Sequence, residues 1–301
     1  MIVGPGRALP TFALLAVTAA WGSTFFLIKD LLTQISVLDF LSIRFLIAAA
    51  VLFAVSPRSV TRLSRQQVRQ GLVLGLVYGV AQVLQTLGLE QTSASVSGFV
   101  TGMYVVATPL FAAVLLRERL GGWVWFAVLL STSGLAFLSL QGLSISPGVA
   151  LVFAAAMLYA VHILGLGHWS SPDNTFGLAV LQMVVIAIVC TAVSAPNGIA
   201  APQTATGWWS LLYMAVIAGA GALLAQTWAQ AHLSSTRAAI IMTMEPVFAA
   251  FFAVLLGGEV LTVRMIAGGT LVVAAMFLVE LPPQARTGNT RSSRLAEDRP
   301  S

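Results

Sequence analysis

The sequence predicts an all-α integral membrane protein in which ten transmembrane helices form two inverted five-helix repeats. Three observations carry that expectation. Of the 301 residues, 58% are hydrophobic and 8% charged, with a mean hydropathy of +0.93, against the roughly 25% charged residues usual in soluble domains. Too little polar surface remains to coat a water-soluble core, so the solvent of this fold is lipid. The chain also parses into ten apolar segments near the roughly 20 residues that a spanning helix needs. Finally, its second half repeats landmarks of its first.

The ten segments fall at 10–31, 37–55, 70–89, 93–116, 121–140, 147–166, 174–195, 207–231, 236–256 and 262–280. The first has Ala19-Ala20 near its middle, small residues of the kind found at signal cleavage sites, but its apolar stretch is too long and its basic lead is little more than Arg7; a retained helix is expected. Arg44 lies within the second. Gly71 and Gly75 in the third, and Gly98 and Gly102 in the fourth, have the small-xxx-small spacing that lets helices approach closely. Ser146 before Pro147 reads as an N-cap with proline at the first position of the sixth helix, and Asp173-Asn174 opens the seventh. Cys190, the single cysteine, sits in that apolar run as a small core residue. Gly219 and Gly221 thin the eighth helix. In the ninth, Pro246 removes a backbone donor and disfavours helical geometry at Glu245, so a local kink is expected. The stretch after Pro282-Pro283 lacks periodicity and is expected to be a disordered tail. The domain reading is a first repeat over 1–143, a second over 144–281 and a tail over 282–301.

Arginine placement predicts orientation. With the N-terminus inside, the inner loops hold Arg58, Arg62, Arg65 and Arg69, then Arg117 and Arg119, then Arg237, and the tail adds Arg286, Arg291, Arg294 and Arg299. The opposite face holds Lys29 and Arg264. That asymmetry places both termini in the cytoplasm, with a bacterial inner membrane as the expected location.

Composition also excludes function classes. The pI near 10.1 would suit a nucleic-acid binder, but the arginines are sparse and lie between apolar blocks. One cysteine supports neither a disulfide framework nor a metal cluster. An intramembrane enzyme lacks its parts: there is no HExxH helix, no Asp/His cluster and no GxSxG. No catalytic residue, metal or cofactor is expected, and a monomer suffices as the working unit.

The two halves match at several landmarks. Trp21 corresponds to Tyr159, Arg44 to Gln182, Gln85-Thr86 to Gln226-Thr227, and Pro109-Leu-Phe-Ala-Ala to Pro246-Val-Phe-Ala-Ala. Glu118 follows the first proline block and Glu259 the second. Five helices per half is odd, so the second half must enter the membrane from the opposite side. That is the inverted-repeat design of secondary transporters, with a site near the midplane exposed alternately to each side.

The segment Ala20-Trp21-Gly22-Ser23-Thr24-Phe25, Arg44, Pro109 with Arg117-Glu118-Arg119-Leu120, and Glu245-Pro246-Val247-Phe248 with Gly258-Glu259 together resemble the EamA family of the drug/metabolite transporter superfamily. The resemblance covers the chain except its tail. It implies ten helices and export of amino acids or related metabolites, with exporters of aromatic amino acids of the YddG type among the members it brings to mind.

Polar groups in lipid face protein or a water-filled cavity, and helical spacing shows which share a face. Tyr78, Gln82 and Gln85 form one stripe, and Ser97, Thr101, Tyr104 and Thr108 another. Gln226 and Gln230 are four apart, Tyr159 and His162 three apart, and Trp21 with Ser23 and Thr24 supplies a counterpart in the first helix. The candidate substrate-binding residues are therefore Trp21, Ser23, Tyr78, Gln82, Gln85, Thr101, Tyr104, Tyr159, His162, Gln226 and Glu245. Interhelical hydrogen bonding is the alternative use for each, most of all for Ser97, Thr108 and Gln230. Arg44, Glu118 and Glu259 are candidates for gating or structural ion pairs.

The expected function is a secondary exporter of small amphipathic metabolites, foremost aromatic or other apolar amino acids, with the bilayer as its environment. The stripes combine aromatic faces and neutral hydrogen-bonding groups without the Lys or Arg clusters that a phosphorylated solute would require. Amino-acid identity follows from the resemblance. A broad exporter of drugs or quaternary ammonium compounds is the alternative, with Glu245 and the aromatic rings as its contacts. A channel is a third.

Overall fold

The structure, a computed structural model, describes residues 8–92, 94–139, 146–194, 198–256 and 260–280, and no strand occurs among them. The helices are α1 (Ala8–Gly22), α2 (Thr24–Leu31), α3 (Val37–Val55), α4 (Arg65–Glu90), α5 (Ala94–Gly102), α6 (Tyr104–Leu115) and α7 (Gly122–Ser139). The second half supplies α8 (Pro147–Trp169), α9 (Thr175–Ser194), α10 (Ala205–Ala215), α11 (Ala222–Gln230), α12 (Ser235–Met242), α13 (Met244–Leu255) and α14 (Val263–Glu280). Among the described residues, five helical stretches are long and apolar enough to cross a membrane: α3, α4, α8, α9 and the continuous run Ala205–Gln230. The 19 residues of α3 rise about 28 Å, close to the ~30 Å hydrocarbon thickness. Shorter apolar helices include Ala8–Gly22, Val100–Leu115, Gly122–Phe137 and Val263–Leu278. Glu259, the tail and the expected boundary at 143–144 lie outside the described residues.

Local chemistry sets the helix starts. Ser64 and Gln67 form a reciprocal capping box at the head of α4, which begins a turn earlier than its hydropathy suggests because the cap satisfies the exposed N–H groups. Ser146 caps α8 with Pro147 inside its first turn, as expected. Ser36, Thr204 and Ser234 cap α3, α10 and α12. Asn174 directly precedes α9 as expected, its carbonyl accepting from the Leu178 N–H at 2.9 Å, while its Oδ1 accepts from the Ser171 N–H at 2.8 Å and its Nδ2 donates to the Trp169 carbonyl at 2.9 Å, closing the turn between α8 and α9.

Three segments expected to be single helices are interrupted. Ser23 separates α1 from α2, Met103 separates α5 from α6, and Thr243 separates α12 from α13. At Met103 and Thr243 the N–H bonds back three residues, to Val100 and Ile240, each at 3.2 Å. The second break has a clear cause. Pro246 has no N–H for the Met242 carbonyl, so the disturbance falls at Thr243, about one turn before the proline and two residues before Glu245. The segment Val216–Gly221 between α10 and α11 is π-helical, a local widening often found at functional sites.

Packing interlocks the two halves. The helix α4 lies against α8 and α9, α3 against α9, α7 against α14, and α1 against α11 and α13. Glycine makes the closest approaches possible: a Cβ at Gly75 would sit 2.7 Å from Val185 Cβ and 3.0 Å from the Gln182 backbone. Gly71 likewise meets Leu181, whereas a Cβ at Gly98 would meet nothing within 4 Å, so that half of the second glycine pair is not a packing contact. Phe40, Phe45, Leu14 and Met183 fill the interior with Cys190, while Phe53, Leu129, Ile188 and Phe251 project outward. An apolar exterior around a close-packed interior suits a lipid solvent.

Candidate functional site

A cavity of about 70 Å³ lies inside the bundle, well below the roughly 300–1,000 Å³ of pockets that enclose drug-sized ligands. Ten of the eleven residues expected to bind substrate line it: Trp21, Tyr78, Gln82, Gln85, Thr101, Tyr104, Tyr159, His162, Gln226 and Glu245. They come from α1, α4, α5, α6, α8, α11 and α13, so both halves build the wall.

Ser23 does not reach the cavity. At the α1–α2 interruption its hydroxyl donates to the Ala20 carbonyl at 2.7 Å and lies 2.7 Å from the Tyr213 hydroxyl, which must then be the donor in that bond. Tyr213 gave no signal in the sequence, because the partnership depends on α10 crossing the break.

One side of the cavity is a hydrogen-bonded relay. The Gln82 amide donates to the Tyr159 hydroxyl at 2.8 Å, and that hydroxyl donates to Gln85 Oε1 at 2.7 Å. The Gln85 amide in turn donates to Thr101 Oγ1 at 3.0 Å. Tyr78 stands edge-on to Tyr159 with centroids 5.5 Å apart and tilts over His162 at 4.7 Å. Such ring pairs hold their geometry through the quadrupoles of their faces and edges.

Trp21 and Arg44 are anchored on the π-helical segment. The indole N–H donates to the Ala218 carbonyl at 2.9 Å. Arg44 Nε donates to the Met214 carbonyl at 3.1 Å and a terminal nitrogen reaches the Ala218 carbonyl at 3.4 Å, while Phe40 and Phe45 pack on the guanidinium at 5.7 and 5.0 Å. Arg44 thus differs from the expected ion-pair member. It is held by two carbonyls, Met214 at the end of α10 and Ala218 in the π-helical segment, and two bonds leave other N–H groups of the five on a residue that lines the cavity.

Arg44 and Glu245 are the charged residues of the lining. No ion pair joins them, and among the described residues the Glu245 carboxylate has no hydrogen-bond partner. Glu245 sits in the first turn of α13, where the helix dipole favours an anion. Gly22 makes room beside it: a Cβ there would lie 2.8 Å from the Glu245 carbonyl and the Ala249 N–H nitrogen.

Glu118 lies far from this chemistry, on the exposed connection after α6. It forms no ion pair among the described residues, and its contribution is a backbone one. Left-handed Arg117 (φ 55°) turns the chain so that the Glu118 N–H returns to the Ala112 carbonyl at 3.2 Å. Ser97 and Gln230 act as interhelical or local glue: Ser97 bonds Thr92, and the Gln230 amide donates to the Ile163 carbonyl at 2.8 Å. Thr108 is buried but does not line the cavity. The sequence reading missed Ile28, Thr86, Leu89, Ile163 and Met242 in the wall. The apolar ones look like ordinary core positions; only the four-residue spacing of Thr86 from Gln82 offered a signal.

The model of one family, the EamA-like transporters, matches the chain twice, over residues 9–140 and 146–281. The chain belongs to the EamA-like transporter family. This EamA-like transporter is 29% identical over 279 residues to an uncharacterized transporter of Archaeoglobus fulgidus, covering 92% of this chain and 88% of that one. It is 27% identical over 259 residues to the pseudopaline exporter CntI of Pseudomonas aeruginosa, covering 83% of this chain and 88% of the exporter. The uncharacterized transporter YoaV of Bacillus subtilis is 22% identical over 289 residues, covering 88% of this chain and 94% of YoaV. One solved crystal structure superimposes with a TM-score of 0.77 at 16% identity, covering 90% of this chain and 96% of that one, a likeness of fold alone. These relatives are named as transporters.

Proposed function

We propose that this EamA-like transporter is a secondary exporter of small amphipathic amino acids, foremost those with aromatic or other apolar side chains. The observation that carries the reading is the pairing of one unpartnered carboxylate, Glu245, with one guanidinium, Arg44, on the wall of a single otherwise neutral, aromatic cavity. A zwitterion has one charge for each: its ammonium for Glu245 and its carboxylate for the N–H groups that Arg44 has left. The rings of Trp21, Tyr78, Tyr104 and Tyr159 then receive an apolar side chain.

The mechanism we propose is alternating access in a ten-helix bundle of two inverted five-helix repeats, with both termini in the cytoplasm of a bacterial cell and the monomer as working unit. The double match of one family model, the cavity built from both halves, and the interruptions at Ser23, Met103 and Thr243 support it. Discontinuous helices commonly frame midplane sites in secondary transporters. A cavity of about 70 Å³ also suits a carrier that must widen to admit its solute. Export as the direction is supported by the exporters among its relatives.

The test is counterflow in proteoliposomes with radiolabelled amino acids and quaternary ammonium compounds, with and without a proton gradient. Saturable exchange of apolar amino acids supports the reading. Exchange of quaternary ammonium compounds alone would favour a broad drug exporter, for which the aromatic wall around Glu245 speaks, and unitary currents would make the protein a channel.

A further inference from the structure

We infer that the solute enters this cavity as an ammonium that still carries N–H groups, which complete the lone pairs of His162 Nδ1 and Gln226 Oε1 beside the Glu245 carboxylate. The inference rests on the cavity being the transport site and narrows its substrate to primary or secondary amines. It follows from two backbone carbonyls that fix the orientation of two amides.

The first is Leu178. Its carbonyl can only accept, and it takes a hydrogen bond from Gln182 Nε2 at 3.0 Å. The oxygen of the Gln182 amide therefore faces His162, whose Nε2 lies 2.8 Å away. An amide oxygen offers no proton, so His162 Nε2 carries the hydrogen. The imidazole is 1% exposed and forms no ion pair with Glu245 or any other carboxylate among the described residues, and burying an unpaired charged ring is costly, so its other nitrogen is a bare lone pair. That atom, Nδ1, is buried without a partner.

The second is Ile163, whose carbonyl takes a hydrogen bond from Gln230 Nε2 at 2.8 Å. Gln230 must then turn its oxygen toward Gln226, which answers with its Nε2 at 3.1 Å. The same nitrogen lies 3.8 Å from the Met242 sulfur. Gln226 Oε1 is thereby left over, buried and unpartnered. Neither amide can flip without setting two acceptors against each other.

Both residues line the cavity that also holds the free Glu245 carboxylate. Unpartnered buried acceptors cost stability, and what these three lack in common is a donor. A primary ammonium supplies up to three N–H groups together with the positive charge that Glu245 needs. A quaternary ammonium has the charge and would be drawn to the aromatic faces, but it has no N–H, and its methyl groups would bury the same lone pairs unsatisfied. The cavity wall thus separates the two ammonium classes by hydrogen bonding rather than by charge.

The experiment is isothermal titration calorimetry of the full-length protein in lipid nanodiscs against two matched pairs. These are 2-phenylethylamine with (2-phenylethyl)trimethylammonium, and phenylalanine with its N,N,N-trimethyl derivative. The N–H member of at least the first pair should bind about tenfold or more tighter, the scale of one lost charge-assisted bond. In Gln226→Met and His162→Phe, checked for monodispersity, the ratio should fall toward one. Equal or tighter binding of the trimethylated members to the unmodified protein, or binding of none of the four, would overturn the inference without recourse to any variant. Binding of 2-phenylethylamine with no exchange of any amino acid would instead sink the amino-acid reading and leave the ammonium subsite standing.

Discussion

The Tyr159 hydroxyl donates to Gln85 Oε1 across 2.7 Å, a bond that ties α8 in the second matched stretch of the chain to α4 in the first. The same hydroxyl accepts from Gln82. Removing it by Tyr159→Phe keeps the ring and strands two amide groups, each unsatisfied buried group costing about 1–3 kcal/mol. We expect a lower unfolding temperature in detergent together with slower exchange in proteoliposomes. Wild-type values of both would show that the relay contributes nothing.

Arg44→Gln should weaken the carboxylate end of the site. It removes the charge and the donors now placed on the Met214 and Ala218 carbonyls. The expected outcome is at least about a tenfold loss of amino-acid affinity, roughly 1.4 kcal/mol, with a smaller effect on 2-phenylethylamine, which has no carboxylate. Equal losses for both ligands would argue that Arg44 only supports the fold.

Glu245→Gln should have the complementary signature. Ammonium ligands of either kind lose at least about tenfold in affinity, while the unfolding temperature holds or rises, because an unpartnered carboxylate is replaced by a neutral group. Undiminished counterflow would remove Glu245 from the site.

Tyr78→Ala and Gln85→Ala should leave the protein folded and monodisperse while weakening transport, since both side chains line the cavity. Unchanged kinetics with both replaced would take the α4 stripe out of the site.

Two glycines predict opposite outcomes for one substitution. Gly75→Ala drives a methyl to 2.7 Å from Val185 Cβ and 3.0 Å from the Gln182 backbone, so α4 and α9 must separate and the unfolding temperature should drop. Gly98→Ala meets nothing within 4 Å and should be neutral or gain up to about 1 kcal/mol from helix propensity. Equal effects would contradict the α4–α9 packing.

The proposed orientation is testable in intact cells. A membrane-impermeant label on a cysteine introduced at Ser301, in a Cys190→Ala background, should react after the inner membrane is permeabilised and not before.

Much of the candidate site was legible because lipid penalises stray polarity. A Tyr, Gln or Glu inside an apolar run needs a reason, and helical spacing put Tyr78, Gln82 and Gln85 on one face and Tyr159 near His162. What failed was any inference needing the distance between helices. Ser23 looked like its neighbours but turns to Tyr213. Arg44 looked like half of an ion pair and is held by carbonyls. Its acceptors, Met214 and Ala218, lie just before and within the π-helical segment Val216–Gly221, a register that two glycines permit but do not announce. Ile28 and Met242 carried no signal, since an apolar residue facing a cavity reads like one facing a core.

By itself the sequence determined the solvent, the helical class, the Ser146 cap and the identity of nearly every polar group in the wall, because these follow from composition, period and local hydrogen bonding. Tertiary structure alone decided which hydrogen bonds those groups make and which lone pairs remain. The physical reason is that a side chain's partner is set by the packing of another helix. Gln182 and Gln226 show it: backbone carbonyls of Leu178 and Ile163, the second reached through Gln230, settle which end of each amide is spent and which atoms are left for a solute.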